Sequence, residues 1–196
     1  YNYSDVGYLL LGIVIDNITG SYHDFMVNSI FAEAKMKNTY LLNQEKVVLN
    51  QARGYSLKNG ELINILRTWD YEIPSFFGIF SNVDDLIKWN QALETNRLLN
   101  DQNHSFLFTQ GKLDNGISIE YGGGWEINKI NGVKFISHNG VTGTKIVKVP
   151  SAEFCLIILT NLGYNGNDFV DPWSLSNELL SAYGIETKIN KNHITI

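Results

Sequence analysis

The spacing of apolar residues changes after about residue 120, and this change constrains the possible fold more than any other feature of the sequence. Short segments with strand character follow one another there: GWEINKI, VKFISH, TKIVKVP and FCLIILTN. The first two are joined by Asn131-Gly132, a dipeptide typical of a two-residue hairpin turn. A short break at residues 151–153 separates the last two. This part of the sequence therefore predicts an antiparallel sheet.

Two helices are predicted near the start of the chain. Apolar residues recur at helical spacing over residues 6–18, and Gly20 is typical of a helix end. Because this segment is almost wholly apolar, we expect the helix to be buried. Ser21 with Asp24 three residues later resembles a capping box and predicts a second, amphipathic helix packed beside the first.

Two further helices are predicted later in the chain. We expect Ser81 to cap a helix whose first turn contains Asp84 and Asp85, since carboxylates there interact favourably with the helix dipole. The Asp-Pro dipeptide that opens residues 171–183 predicts the start of a closing helix. Residues 38–77 carry Asn, Gly and Pro and are expected to form a long, partly irregular segment, a kind that often borders a binding cleft.

Together these elements predict an α+β fold in which helices flank an antiparallel sheet. The helical part spans about residues 1–115, and the strands with the closing helix span about residues 116–190. A chain of 196 residues that is 44% hydrophobic has enough apolar surface for one large domain, or for a sizeable part of a bigger one.

Charge and residue counts exclude several classes of function. The net charge is −5, and no run of Lys and Arg follows the pattern of a nucleic-acid-binding surface, so we expect no nucleic-acid partner. No stretch approaches the ~18–20 apolar residues of a membrane span. Four scattered histidines predict no metal site. The single cysteine, Cys155, lies in an apolar run and favours a buried side chain over a reactive thiol.

Several common catalytic motifs are missing from the sequence. There is no Gly-x-Ser-x-Gly nucleophile elbow and no phosphate-binding Gly-x-x-x-x-Gly-Lys-Ser/Thr loop. The GGGW segment at residues 122–125 lacks the strand-to-helix context of such a loop and favours close backbone packing at a strand start. No serine is followed by a lysine three positions later.

Two tripeptides remain as candidates for chemistry. Tyr3-Ser4-Asp5 precedes the first helix, and His138-Asn139-Gly140 ends a predicted strand. Each also has a purely structural interpretation. The ring of Tyr3 could cover a helix start, and His138 could be a hydrogen-bonded histidine on an edge strand. Taken singly, neither tripeptide decides between the two interpretations.

Five blocks in order resemble the serine beta-lactamase and penicillin-binding-protein-like family, in particular its class C beta-lactamases, D-alanyl-D-alanine carboxypeptidases and related esterases. YSDVGYLLLGIVIDNITG is similar to the Tyr-x-Asn block with its following helix, and GIFSNVDDLIKW to a Gly-x-x-Ser-Thr-x-x-Asp-Leu helix start. YGGGW, HNGVTG and VPSAEFCLIILTN resemble the Tyr-Gly-x-Gly-Trp strand, the His-x-Gly block and the closing strand pair. The resemblance implies part of a beta-lactamase/transpeptidase-like fold.

The resemblance also implies acyl transfer without a cofactor. In the family, the serine of a Ser-x-x-Lys motif attacks a carbonyl and forms an acyl-enzyme, which water or another acceptor releases. The motif lies upstream of the tyrosine block, and this sequence begins two residues before that tyrosine. We therefore expect the chain to be the C-terminal part of a serine hydrolase and to be inactive alone.

Tyr3 and Asp5 take their expected roles from the resemblance. Tyr3 would carry protons between the serine, the lysine and the leaving group. A phenol with a pKa of about 10 is a poor base at pH 7, because its phenolate costs about 4 kcal/mol there, so Tyr3 needs a nearby lysine cation. Asp5 stands where lactamases and peptidases usually carry Asn. An ionised carboxylate only accepts hydrogen bonds, which disfavours recognition of a beta-lactam side-chain amide and favours esterase or peptidase-like chemistry. Asp5 could instead pair with the motif lysine.

The resemblance assigns the second tripeptide to substrate binding. His138 occupies the place of the lysine in the Lys-Thr-Gly version of the motif, where a cation or donor holds the substrate. Asn139 is expected to face away from the site, and Gly140 to let the substrate approach the backbone. The N–H of Val141 would be one oxyanion-hole donor.

Two hypotheses follow for the parent protein. It is a serine hydrolase acting on a small-molecule or peptide substrate with an acyl carbonyl, or a non-catalytic binding or envelope-associated module of the same fold. Family habit suggests a bacterial cell envelope or secreted setting. Without the strands and the nucleophile helix that precede the tyrosine block in the family, apolar faces would be uncovered, so we expect the chain to self-associate.

Overall fold

The computed structural model describes residues 1–43, 45–64, 74–95, 97–140, 142–162 and 172–187. The helices are α1 (Asp5–Thr19), α2 (Tyr22–Phe25), α3 (Val83–Leu93), α4 (Asp101–Leu107) and α5 (Pro172–Ala182). The strands are β1 (Tyr40–Leu41), β2 (Tyr55–Lys58), β3 (Glu61–Asn64), β4 (Ile79–Phe80), β5 (Glu126–Ile130), β6 (Val133–Gly140), β7 (Thr144–Val149) and β8 (Phe154–Ile158). The chain divides into two compact units, one formed by Tyr1–Gln51 and Arg67–His104, the other by Ala52–Leu66 and Ser105–Ile196.

Helix α1 has the start and end that its sequence dictates. The hydroxyl of Ser4 accepts a hydrogen bond from the backbone N–H of Gly7 at 3.2 Å and caps the first turn. At the other end Gly20 adopts φ 83°, which ends the helix in the left-handed conformation that glycine accommodates best. The predicted helix and its predicted end are both confirmed.

The expectation that this helix is buried was wrong. Only Gly12 of α1 is fully buried, while Val6, Leu10, Val14 and Ile18 are 64%, 58%, 51% and 79% exposed. These four side chains repeat every four residues, so they form one apolar stripe along the helix, which we call the α1 stripe. The almost wholly apolar sequence indicated that other residues should pack around the helix, but the described residues pack only against the side opposite the α1 stripe.

The second predicted helix begins at its predicted cap and continues as a π-helix. The hydroxyl of Ser21 accepts from the backbone N–H of Asp24 at 3.1 Å, and α2 passes directly into a π-helical segment, Met26–Phe31. The carboxylate of Asp16 in α1 accepts from the backbone N–H of Tyr22 at 2.7 Å and ties the two helices together. The core of this unit contains Tyr22, Phe31, Ala34, Met36, Leu41 and Ala92.

Helix α3 begins one residue later than predicted. Asn82, rather than Ser81, is the N-cap, and its side-chain oxygen accepts from the backbone N–H of Asp85 at 2.9 Å. The hydroxyl of Ser81 instead hydrogen-bonds to that of Thr39 at 2.7 Å. Two adjacent residues were both suitable caps, and the tertiary contact with Thr39 occupies the first of them.

The side chain of Asp85 is completely buried and joins α3 to the chain before β1. It accepts hydrogen bonds from the backbone N–H of Asn38 at 2.6 Å and from the Thr39 hydroxyl at 3.0 Å, and it pairs with the Lys88 ammonium at 2.7 Å. Burial alone would raise the pKa of this carboxyl, but the hydrogen bonds from Lys88, Asn38 and Thr39 outweigh it and lower the pKa.

The second unit contains the predicted antiparallel sheet, in the order β5-β6-β7-β8. At the predicted Asn131-Gly132 hairpin Ile130 pairs with Val133, and the register runs from there to Glu126 opposite Ser137. Strands β2 and β3 form a separate antiparallel hairpin in this unit.

One face of the sheet packs against α5 in a cluster of Phe135, Val147, Val149 and Leu180. The other face carries Ile136 and Lys148, with the Lys148 ammonium 4.7 Å from the centroid of the Phe108 ring. Helix α5 matches the predicted closing helix, although Asp171, its predicted first residue, lies outside the described residues. None of the helices in the described ranges is long and apolar enough to cross a membrane.

Replacing Asp85 with Asn should lower the free energy of unfolding by about 2 kcal/mol at pH 7, because the charged acceptor of three hydrogen bonds is lost. The lowered pKa makes the wild-type contribution fully present above about pH 4 and lost as the pH falls through the folded-state pKa. Urea unfolding at pH 7 measures the stability that the variant loses, and urea unfolding at pH 2–5 measures how the wild-type contribution changes with pH. Asp84→Asn, an exposed change in the same turn, is the control. Equal stability of the two variants would contradict this account.

The α1 stripe should make the chain self-associate, as the sequence predicted. Light scattering should give a mass above the 22.2 kDa of one chain. Val14→Glu should shift the equilibrium toward the monomer, because a charge would have to be buried in the contact. Gln91→Glu adds the same charge on the exposed side of α3 and should leave the mass unchanged. A wild-type monomer at all concentrations would refute the prediction.

Candidate active site

Tyr3 and Asp5 lie together at the N-terminal end of α1. Tyr3 is 44% exposed, and its ring centroid is 5.5 Å from that of Tyr8. Asp5 is the first residue of the helix and is exposed, a position where a carboxylate is stabilised by the helix dipole. Ser4, between them, is used as the helix cap. The cap thus fixes the direction in which the chain enters α1.

The surroundings of Tyr3 keep its phenol protonated. Partial burial raises its pKa, and the neighbouring Tyr8 and Asp5, with Tyr1, raise it further. All four causes act in the direction opposite to that required of a proton acceptor. A cation close to the hydroxyl would be required to reverse this direction, in line with the role that the Ser-x-x-Lys lysine has in the family.

His138, Asn139 and Gly140 are the last three residues of β6. Because side chains alternate along a strand, His138 and Gly140 share one face and Asn139 lies on the other. The side-chain oxygen of Asn139 accepts a hydrogen bond at 2.6 Å from the ammonium of Lys145, which is only 3% exposed and pairs with Asn139 across the strands. Asn139 is therefore bound to Lys145 on the side opposite to His138.

Gly140 pairs with Thr144 at the end of the β6-β7 hairpin. A side chain at Gly140 would collide with the Thr144 hydroxyl, so packing against Thr144 already favours glycine here. The carbonyl of Gly140 accepts from the N–H of Gly143 at 3.0 Å and closes the turn. Val141, the expected oxyanion-hole donor, lies outside the described residues, and its role stays a prediction.

The predicted site residues fall into two groups. Tyr3 and Asp5 belong to the first unit, and His138, Asn139 and Gly140 belong to the second. Within each group the residues are neighbours in space as well as in sequence. Among the described residues, no group of three or more His, Cys, Asp or Glu side chains is arranged to hold a metal ion.

Two residues near His138 were missed by the sequence reasoning. The hydroxyl of Tyr121 lies 3.1 Å from Nε2 of His138, and Lys145 holds the neighbouring Asn139. The register of the Asn131-Gly132 hairpin gave only a partial signal, because it places Glu126 opposite Ser137, the residue before His138, but does not reach Tyr121. Tyr121 in turn forms an isolated bridge with Glu126. For Lys145, the sequence of its predicted strand gave no comparable signal that the side chain is buried.

Known proteins resemble this chain over most of its length. The Beta-lactamase family profile matches residues 1–180. A penicillin-binding protein of Bacillus subtilis is 30% identical over 176 residues, which are 81% of this chain and 39% of that protein. A D-aminopeptidase of Brucella ovis is 26% identical over 174 residues, 85% of this chain and 32% of its own length. The chain thus spans less than half the length of both relatives.

The solved structures agree with the sequence comparison. An octameric penicillin-binding protein homologue from Pyrococcus abyssi superposes with a TM-score of 0.77 at 23% identity, covering 95% of this chain and 43% of its own. This similarity confirms the predicted α+β fold with an antiparallel sheet. The profile match over residues 1–180 establishes that the chain belongs to the Beta-lactamase family.

Proposed function

We propose that this chain is the C-terminal part of a serine hydrolase that transfers an acyl group through an acyl-enzyme. The observation that carries the proposal is the family match over residues 1–180, with the tyrosine block and the His-x-Gly block in family order. The 196 residues contain no Ser-x-x-Lys. The nucleophile of the whole protein would therefore come from outside these residues, and the chain alone would be inactive.

In the proposed reaction the serine hydroxyl attacks the substrate carbonyl and gives up its proton as the C–O bond forms. The leaving group departs with a proton, and water then cleaves the acyl-enzyme in the same two steps. Tyr3 would carry the proton from the serine to the leaving group. Its raised pKa keeps the phenol protonated, so the motif lysine would have to lower that pKa before Tyr3 could take the proton of the serine and pass it on.

His138 and the end of β6 would bind the substrate. The imidazole and Gly140 share one face of the strand, and the closed hairpin turn beside them fixes their backbone. A substrate laid along this edge would meet the imidazole first and then Gly140, beside which the Thr144 hydroxyl lies. Val141, next along the chain, would donate its N–H to the oxyanion.

We further propose that the substrate carries a free amino group next to the acyl carbonyl. Asp5 is exposed and stands where lactamases and peptidases of the family usually carry Asn. An ionised carboxylate accepts a strong hydrogen bond from an ammonium but has nothing to donate to an amide carbonyl. The relationship to a protein named D-aminopeptidase supports this choice over an N-acylated substrate such as a beta-lactam. Esters of amino acids satisfy the same requirement.

The second candidate, a non-catalytic module, is favoured by the same departure at Asp5. A relative that no longer turns over substrate would be free to lose the amide of the Tyr-x-Asn block. The two candidates differ in one measurable respect, because only the hydrolase releases product repeatedly from each molecule.

The complete protein should hydrolyse a D-amino acid amide with a free amino group, and Asp5→Asn should lower kcat/KM for it about tenfold, the effect of one lost charge-assisted hydrogen bond. The N-acetylated amide should be a poor substrate of the wild type, and Asp5→Asn should not lower kcat/KM for it. Chromatography of released ammonia and amino acid measures both reactions.

Asp84→Asn removes the same charge from an exposed turn of α3 and should change neither rate. Equal loss on both substrates would mean that Asp5 acts on folding rather than on the amino group. The absence of multiple turnover on any amide or ester would favour the non-catalytic module instead.

A further inference from the structure

The imidazole of His138 is held from both sides. The Tyr121 hydroxyl lies 3.1 Å from Nε2, and the backbone carbonyl of Asn139 lies 2.9 Å from Nδ1. The rings of Tyr121 and His138 meet edge to face, 6.0 Å apart at 71°. Tyr121 is only 9% exposed, whereas His138 is half-buried. A largely buried phenol therefore fixes a histidine that is more open to solvent.

The two contacts determine which nitrogen carries the proton in the neutral ring. A backbone carbonyl only accepts hydrogen bonds, so Nδ1 must donate to Asn139. Nε2 then carries a lone pair and accepts from the Tyr121 hydroxyl. Tyr121 thus stabilises the Nδ1–H tautomer and opposes a ring flip, which would place ring carbons where Nε2 and Nδ1 make these two contacts.

The backbone on both sides of Tyr121 is fixed as well. Its carbonyl accepts from the N–H of Gly111 at 2.7 Å, and the N–H of the next residue, Gly122, donates to the carbonyl of Trp125 at 2.8 Å. A side chain at Gly122 would collide with the carbonyl of Thr109, and one at Gly123 would be crowded by Leu107. The glycines of YGGGW therefore let this segment pack tightly, and the tight packing places the Tyr121 ring.

We propose that Tyr121 is a positioning residue for His138, which fixes the orientation of the imidazole and, together with the Asn139 carbonyl, stabilises its Nδ1–H tautomer at the substrate-binding end of β6. The inference rests on the proposed function, because it refines the role of a residue of that site. Tyr121 acts only through His138 in this account. Removing its hydroxyl would leave the histidine in place but let it rotate and exchange tautomers.

The tautomer is tested directly by ¹⁵N NMR of the 196-residue chain with labelled histidine. The signals of His138 are identified by their loss in His138→Gln. In the wild type Nδ1 should give a protonated-type shift and Nε2 an unprotonated-type shift. In Tyr121→Phe the two shifts should move toward each other as the tautomers exchange. Tyr183→Phe, a change at an exposed tyrosine of the same unit, should leave both signals unchanged.

Two results would overturn the proposal. One is a wild-type His138 whose Nε2 carries the proton, a test that holds even if Tyr121→Phe does not fold. The other is a folded Tyr121→Phe variant whose His138 signals match the wild type. Neither result depends on catalysis, so the proposal and the proposed function fail separately.

Kinetics of the complete protein give a second test. Tyr121→Phe should lower kcat/KM about tenfold, the effect of one lost hydrogen bond. In a His138→Gln background the same change should have no further effect, because the residue that Tyr121 positions is already gone. A tenfold loss in both backgrounds would assign Tyr121 a role independent of His138 and contradict the proposal.

Discussion

The two-residue turn at Asn131 and Gly132 determines which side chains of the second unit share a sheet face. Both residues have positive φ, 50° and 81°, as a tight hairpin turn of this type requires. Pairing continues from this turn along the whole of β5. A slip of one residue would move every side chain of a strand to the other face and would exchange His138 with Asn139. The place of the imidazole beside Tyr121 thus depends on a turn several residues away.

The chemical groups of the chain are only part of what acyl transfer needs. Tyr3 is held as a neutral phenol by partial burial and by nearby acidic groups. His138 is held as an oriented imidazole by Tyr121 and the Asn139 carbonyl. Proton transfer by Tyr3 requires an added positive charge, and attack on a carbonyl requires a nucleophile. In the proposed function, one Ser-x-x-Lys motif outside these residues would supply both.

Local patterns predicted the elements well, and contacts distant in sequence account for what they missed. The apolar spacing of α1, the cap at Ser21 and the hairpin at Asn131-Gly132 depend on neighbouring residues and were predicted correctly. The α3 cap was misplaced by one residue because Ser81 bonds to Thr39, some forty positions away in the sequence. The role of Asp85 as a buried acceptor depends on the same kind of contact.

The candidate site residues also divide into those predicted from neighbouring residues and those that depend on contacts distant in sequence. Tyr3, Asp5 and His138 were predicted from short motifs, each contained in a few consecutive residues, and their roles stay predictions. The Tyr121–His138 contact joins residues 17 apart through two turns, and no local pattern specifies it. Exposure of α1 was missed because sequence composition indicates that a surface should be covered without indicating what covers it.

The central claim, that these residues serve an acyl-transfer site whose nucleophile lies outside them, is tested most directly by locating the acylated residue. The complete protein and the 196-residue chain are each treated with a fluorophosphonate and with a fluorescent penicillin, and adducts are mapped by peptide mass spectrometry. One adduct is expected, on the serine of a Ser-x-x-Lys motif, in the complete protein alone. A stoichiometric adduct on any serine of the 196-residue chain would contradict it.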